Sequence, residues 1–512
     1  MSHKEEYSPQ VERRLLVAIG AAIVLYALGL ALGWPQAGAA LMSGHDGHQI
    51  EKESHALPEP PPTWAVTPFV LLLGAIAVLP LLPATKHWWE SNRNRFLVAA
   101  SLGLITLAYY LVLHREPIER HFLSHELIPP SAGAVSWSLP WTIFQNAILG
   151  EYVPFIALLF SLYTICGGIR ISGDLPAHPF TNTAFIAIGG LLASFIGTTG
   201  AAMVLIRPLL ETNSERKHVR HTVVFFIFVV CNCGGCLLPI GDPPLFLGYL
   251  QGVEFLWTLS LWKEWAFVNL SLLAIYYCWD QFWAYPREAK RDITADERRV
   301  RKLQFRGFWL NIPLLFGVVL AVALLSPGKP FPGTQWHPWL WLREIVQLLL
   351  VGLSLLAGSQ VVRRDNRFTY AAIVEVAALF FGIFICMQPA LQILDVRGAS
   401  LGVDTPAKFY WFTGVLSSVL DNAPTYLVFF KAAQAQHAEG PNQAGVAVEI
   451  LAAISLGAVF MGAMTYIGNG PNFMVKSIAE QSGVKMPSFF GYLLYSLGVL
   501  LPLLILMQWL FL

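Results

Sequence analysis

The chain interrupts its own membrane helix. Gly241-Asp242-Pro243-Pro244 falls inside an otherwise apolar run from Thr222 to Gln251. Two adjacent prolines remove two backbone donors and clash with the preceding turn. In hydrocarbon the freed carbonyls must find partners in protein or in a water-lined cavity. A carboxylate at the same point adds a cost on the order of several kcal/mol. A second run, Val446 to Glu480, is interrupted by Gly468-Asn469-Gly470-Pro471-Asn472. The two breaks align: Ile240-Gly241-Asp242-Pro243-Pro244-Leu245-Phe246 lies over Ile467-Gly468-Asn469-Gly470-Pro471-Asn472-Phe473. Upstream, the segment Gly190 to Gly200 lies over Gly414 to Pro424, and Arg207 lies over Lys431. Broken apolar segments at matching places in two halves mark the binding site of a secondary transporter.

Composition agrees with a membrane setting. Of 512 residues, 55% are hydrophobic and 13% charged, and apolar runs of spanning length recur throughout. A net charge of +1 gives no reason to expect a nucleic-acid partner. All six cysteines fall in expected membrane segments, so no disulfide framework follows. Cys231-x-Cys233-x-x-Cys236 reads as small, packable residues beside a cavity before it reads as a metal cluster. An enzyme using Cys233, Cys236 and nearby histidines would need a convergent His or acid motif on the same helix, and the sequence carries no such motif there. No enzyme activity and no cofactor are expected.

Loop charge sets the topology. Arg13-Arg14 precede the first apolar run, Leu15 to Trp34, so the N-terminus is expected on the cytoplasmic side, and the expected setting is a bacterial inner (plasma) membrane. Gln36 to Ala40 resembles a signal-peptidase site, but the run is long for a signal core and is read as an uncleaved helix. A polar loop with His45, His48 and His55 and a proline-rich end follows. His114 to Gly150 reads as a surface loop with amphipathic character. Thr181 to Leu210 is flanked on both sides by basic residues, at Arg170 and at Arg216 to His221, so it enters and leaves from inside as a re-entrant hairpin. Phe409 to Lys431 is followed by Ala435 to Gly445, which has no Lys or Arg, and reads as a hairpin entered from outside. The loop Arg287 to Arg306 carries eight Lys or Arg and is cytoplasmic.

The expected fold is an all-α polytopic membrane protein with about eleven transmembrane helices, two re-entrant hairpins and two broken helices in an inverted-topology repeat. Residues 1–63 hold the first helix and a periplasmic loop. Residues 64–284 form the first repeat, with the inner hairpin at 181–210. Residues 285–306 are the basic loop, and 307–512 form the second repeat, with the outer hairpin at 409–431.

This pattern resembles the ion transporter superfamily, which includes citrate and dicarboxylate carriers, arsenite pumps and NhaD-type sodium/proton antiporters. Ile240-Gly241-Asp242-Pro243-Pro244 looks like the broken-helix motif of the arsenite-pump branch. Leu420-Asp421-Asn422-Ala423-Pro424 looks like the hairpin motif of the antiporter branch. The resemblance implies a homodimer whose protomers each pair a scaffold domain with a transport domain that moves like an elevator. Sodium-coupled dicarboxylate carriers bear Ser-Asn-Thr at both tips. Here the tips are Thr198-Thr199 and Asp421-Asn422-Ala423-Pro424-Thr425, and neither matches.

Hairpin tips and helix breaks expose backbone carbonyls, and carbonyls with a carboxylate make a hard oxygen site suited to sodium. Helix N-termini at the same places favour an anion. Asp421 is expected as the shared sodium and proton ligand, with hairpin capping as its bland alternative. Asp242 is expected to serve as ion ligand or as cap of the half-helix that starts at Pro243. Asn422, Asn469 and Asn472 offer amide oxygens, and Thr198, Thr199 and Thr425 offer hydroxyls. Ser194 and Ser418 are expected to pack the hairpin arms. Glu375 is expected to snorkel or to pair with a base, and Arg207 and Lys431 to anchor at the surface. The expected activity is sodium/proton antiport by elevator-type alternating access, with Na+ and H+ as the transported or coupling ions. The rival reading is proton- or sodium-coupled transport of citrate or another carboxylate.

Overall fold

Apolar runs with few breakers fold as helices in the computed structural model, which describes residues 7–43, 59–80, 82–124, 126–133, 135–298, 300–436 and 440–512. His45, His48 and His55 lie outside the described residues. Among the described residues five helices are long and apolar enough to cross a membrane: Pro9–Ala31, Asn92–Val112, Ser138–Cys166, Pro179–Ile196 and Phe489–Phe511. Ala371–Cys386 with Gln388–Leu401, bent by 43°, makes a sixth when taken as one span. The bend sits at Met387, just ahead of Pro389, whose missing N–H removes a helix hydrogen bond. The chain is an all-α membrane protein. Other expected spans appear as shorter apolar helices, including Arg220–Cys236, Phe308–Leu324 and Val448–Met464.

Two local expectations change. The loop expected from His114 to Gly150 ends early, because Ser138–Phe144 continues through a π turn, Gln145–Tyr152, into Val153–Cys166. Pro154 sits in the first turn of that last stretch, where its missing N–H costs least. The basic loop is partly ordered: helix Lys290–Arg298 leads to strand Arg301–Arg306, which pairs antiparallel with Arg170–Asp174.

Contacts divide the chain into two units, residues 1–168 with 309–396 and residues 169–308 with 397–512. Each sequence half therefore gives its leading helices to the first unit and its hairpin and broken helix to the second. In the first unit a buried Arg363 is the main polar node. It donates to Thr164 O at 2.6 Å and to Ser354 Oγ at 2.7 Å, and lies 3.5 Å from Glu12. A cation at the carbonyl end of Val153–Cys166 suits the helix dipole, and the pair with Glu12 fastens the N-terminal helix. Glu375 pairs with Arg95 at 2.9 Å.

The second unit holds two helical hairpins. Hairpin A consists of Pro179–Ile196 and Thr198–Thr212, joined at Gly197 with φ of 79°. A side chain there would be strained, and glycine is not. The arms run antiparallel, because Asn182 and Asn213 exchange side-chain amide bonds at 2.8 and 2.7 Å. Hairpin B consists of Pro406–Val419 and Asn422–Gln434. Phe409 packs on Phe429 across its arms, and Gln436 donates to Val403 O near its base.

Two broken helices run beside the hairpins. Broken helix A is Arg220–Val230, a 3-10 turn at Cys233–Cys236, and Pro243–Leu250. Broken helix B is Val448–Met461, a 3-10 turn at Gly462–Met464, and Gly470–Gln481. The turns fold back alike: a Cβ on Gly241 would collide with Gly235 O, and one on Gly468 would sit 2.6 Å from Gly462 O. The loop after hairpin A is held by a buried ion network. Arg216 donates to Asp280 at 2.9 Å, His221 Nε2 lies 3.0 Å from Asp280, and Glu288 accepts the N–H of His218 at 2.8 Å.

Candidate functional site

Asp242 and Asn469 occupy the N-cap positions of the second half-helices, yet neither side chain caps. The sequence explains why. An N-cap side chain accepts from the N–H of the second or third helical residue. Pro244 and Pro471 remove the N–H of the second helical residue, and the third, at Leu245 and at Asn472, donates instead to the backbone carbonyl of Asp242 and of Asn469. Both side chains are therefore left to turn toward each other.

Asp242 is 1% exposed. Three side chains from three elements donate to it. Thr198 Oγ1, at the tip of hairpin A, reaches Oδ1 at 2.9 Å. Asn469 Nδ2, from broken helix B, reaches Oδ1 at 3.0 Å. Asn422 Nδ2, at the tip of hairpin B, reaches Oδ2 at 2.7 Å. Thr198 also donates its backbone N–H to Gly241 O at 2.8 Å. Buried polar groups are normally paired in this way, because an unpaired one costs its full desolvation. No basic side chain is among the donors, so one carboxylate sits among neutral partners.

The network continues through Asn232, which sequence reasoning passed over. Asn232 Oδ1 accepts from Asn469 Nδ2 at 3.2 Å, and its Nδ2 donates to Asn472 Oδ1 at 2.7 Å and to Ile227 O at 2.9 Å. Asn472 in turn donates to Gly462 O and Thr465 O, each at 2.9 Å. One signal for Asn232 was present: a lone amide in an apolar run beside Gly234-Gly235 must find partners inside the protein.

Other candidates stand apart. Asp421 caps its own arm, accepting from Ala423 N at 3.1 Å, and among the described residues no hydrogen bond joins it to Asp242. Ala423, the second residue of that arm, keeps its N–H where Pro244 has none, so this cap is open to Asp421 and closed to Asp242. Thr425 Oγ1 bonds back to Asp421 O at 3.0 Å, and half-buried Thr199 joins none of these bonds. Ser194 stitches hairpin A to break A, donating to Gly234 O at 2.6 Å and accepting from Leu237 N. In hairpin B the comparable bond comes from Ser417, to Ala458 O at 2.7 Å, while Ser418 Oγ stays local on Val415 O. Cys231 contributes its carbonyl to Asn469 at 3.0 Å. The three cysteines join no metal-ligating group among the described residues.

Chemically the bonded cluster offers one carboxylate, one hydroxyl and four amides at the meeting of both tips and both breaks, with a second acid, Asp421, near enough at the tip of hairpin B for its charge to act on Asp242. Asn422 Oδ1 is buried with no hydrogen-bond partner. An orphaned amide oxygen beside a carboxylate is a ligand pair for a hard cation. A separate cavity of about 730 Å³ is lined by Arg216, Lys217, His218, Arg220, Arg287 and Lys485, and none of the tip or break residues borders it.

Residues 122–512 match the family described as "Putative citrate transport". The chain belongs to this family. It is a membrane transporter. The part that matches the citrate transport family includes both hairpins, both broken helices and every residue that bonds Asp242, while residues 1–121 lie outside it. Among curated proteins none matches the chain.

Proposed function

We propose that the protein carries citrate or a closely related carboxylate across a membrane, coupled to a proton or a sodium ion. The observation that carries this reading is the match to the citrate transport family over residues 122–512. The geometry supports it chemically. Four helices of the second unit begin at the tips and breaks, at Thr198, Pro243, Asn422 and Gly470. Helix N-termini favour anions. Asp242 opposes them: two unit charges 4 Å apart repel by about 4 kcal/mol at an effective dielectric constant of 20. A proton or cation on Asp242 removes that repulsion, so cargo and coupling ion would each favour the other's binding. Asp242 and Asn422 are the proposed ion ligands, with Thr198, Asn469 and Asn472 holding them in place.

Both hairpins and both breaks fall in one unit, which suits an elevator that carries the site intact. The homodimer, the bacterial inner membrane and a cytoplasmic N-terminus belong to the same proposal, the first by resemblance and the others by loop charge.

The test is flux in proteoliposomes with labelled citrate inside a pH-dye assay. Uptake of citrate driven by an inward proton or sodium gradient is expected. A second reading, sodium/proton antiport, draws on one observation: among the described residues no basic side chain bonds Asp242. Sodium-driven proton movement in the absence of citrate, with no citrate uptake, would put that reading first.

A further inference from the structure

The segments that bracket hairpin A bring a second group of acids together. Asp174 ends the strand Arg170–Asp174, shortly before the first arm. Glu215 lies in the turn that follows the second arm, and Asp296 sits on helix Lys290–Arg298. Each offers a carboxylate oxygen, and these oxygens all lie within 4.8 Å of one another. Asp174 and Asp296 are each only 4% exposed.

Their hydrogen bonding is incomplete. Oδ1 of Asp174 and Oδ1 of Asp296 are both buried with no hydrogen-bond partner. The other oxygens are differently placed. Asp296 Oδ2 accepts the N–H of Ala177 at 2.8 Å, and Glu215 Oε2 accepts from Ser214 Oγ at 2.7 Å. Asp174 Oδ2 lies 4.0 Å from Arg301, whose side chain is 80% exposed. Arg216 is committed to Asp280 and Glu288. An exposed arginine at that distance is a weak partner, and a buried oxygen with no donor costs its desolvation. Two orphaned acceptors within a three-acid cluster ask for a cation.

We propose that Asp174, Glu215 and Asp296 form a binding site for a hard divalent cation of the calcium class, which ties both ends of hairpin A to helix Lys290–Arg298. Calcium takes oxygen ligands at about 2.3–2.6 Å, so ligand oxygens on opposite sides of the ion stand about 5 Å apart. The spacing of the three carboxylates fits inside that sphere, with water completing it. The site contains none of the residues around Asp242, and its role is to fix the base of the hairpin rather than to move cargo. It does not depend on which cargo the transporter carries.

The test uses the full chain in detergent, stripped with chelator and then titrated with CaCl2 by equilibrium binding and with MnCl2 by electron paramagnetic resonance. One saturable site per chain and a melting temperature that rises with calcium are expected. Asp174→Asn with Asp296→Asn should abolish both, while Asp242→Asn keeps both, which separates this site from the transport site. Should the double variant fail to fold, Glu215→Gln at its half-exposed position should weaken binding by more than about tenfold. Absence of saturable binding at millimolar calcium overturns the proposal. So does binding that all the acid variants retain, or a double variant that melts higher without any ion, which would mean the acids share a proton.

Discussion

Asn422 donates its side-chain amide to Asp242 at 2.7 Å across 180 residues of sequence. The bond joins the tip of hairpin B to broken helix A, elements that come from opposite halves of the chain. Thr198, which aligns with Asn422 in the other tip, bonds the same carboxylate. Equivalent positions of two hairpins thus share one acid.

Asp242→Asn tests that sharing. An amide has one acceptor oxygen for three donors, so at least one of Thr198, Asn422 and Asn469 loses its partner along with the charge. Transport in proteoliposomes should fall to background while the protein still inserts, because a neutral amide is easier to bury than a carboxylate. Asp421→Asn should transport near the wild-type rate, with a stability change below about 0.5 kcal/mol, since Asn caps a helix as well as Asp does. The opposite ranking of the two variants would return Asp421 to the centre of the mechanism.

Asn232→Ala removes partners from Asn469 and Asn472 together. Leaving buried amides unsatisfied costs about 1–3 kcal/mol each. The melting temperature in detergent should drop and transport should weaken. A variant as stable as wild type would show that the amide chain is replaceable by water.

Gly241→Ala and Gly468→Ala each press a methyl group against a backbone carbonyl of the same break. Backbone cannot swing aside as a side chain can, and overpacking costs about 1–3 kcal/mol. Both should lower the yield of monodisperse protein on size exclusion. Gly470→Ala meets nothing within 4 Å and serves as the tolerated control.

His114 gives a pH signature. It is buried against Tyr109, its Nδ1 lying 3.2 Å from the hydroxyl, and burial lowers its pKa to about 4. Its unfolded value is near 6.5. The folded value is the lower one, so the unfolded chain binds the proton more readily. Its contribution is complete above about pH 6.5, is lost as pH falls toward 4, and changes no further below that. In thermal melts across this range, His114→Gln should lack that part of the acid-side loss. Identical pH profiles for the two proteins would contradict the assignment.

What the sequence makes legible is local. Gly241 to Pro244 and Gly468 to Asn472 announce helix breaks because proline and glycine act on their own neighbours. The different bonding of Asp242 and Asp421 is also local in principle. Pro243 and Pro244 deny Asp242 the donors that Asp421 finds at Ala423, and reading the two prolines only as breakers hides this. Asn232 is harder, since its partners lie more than 200 residues away. Ser138–Phe144 escapes notice because its mixed composition resembles the loop before it. The cargo is harder still. Tips with neutral amides and an acid read as a cation site, and the family match points to citrate.

Hairpin A is fastened at both extremities, at its tip by Thr198 to Gly241 and just past its base by Arg216 to Asp280. A lever pinned at both ends cannot swing from its own elbow. Gly197 supplies the shape of the turn, yet it is denied the freedom to act as a joint. Opening Asp242 to water on this side therefore cannot begin with the hairpin lifting like a flap. In the proposed elevator, tip, base and broken helix A travel as one block of freight, with the slip plane outside it.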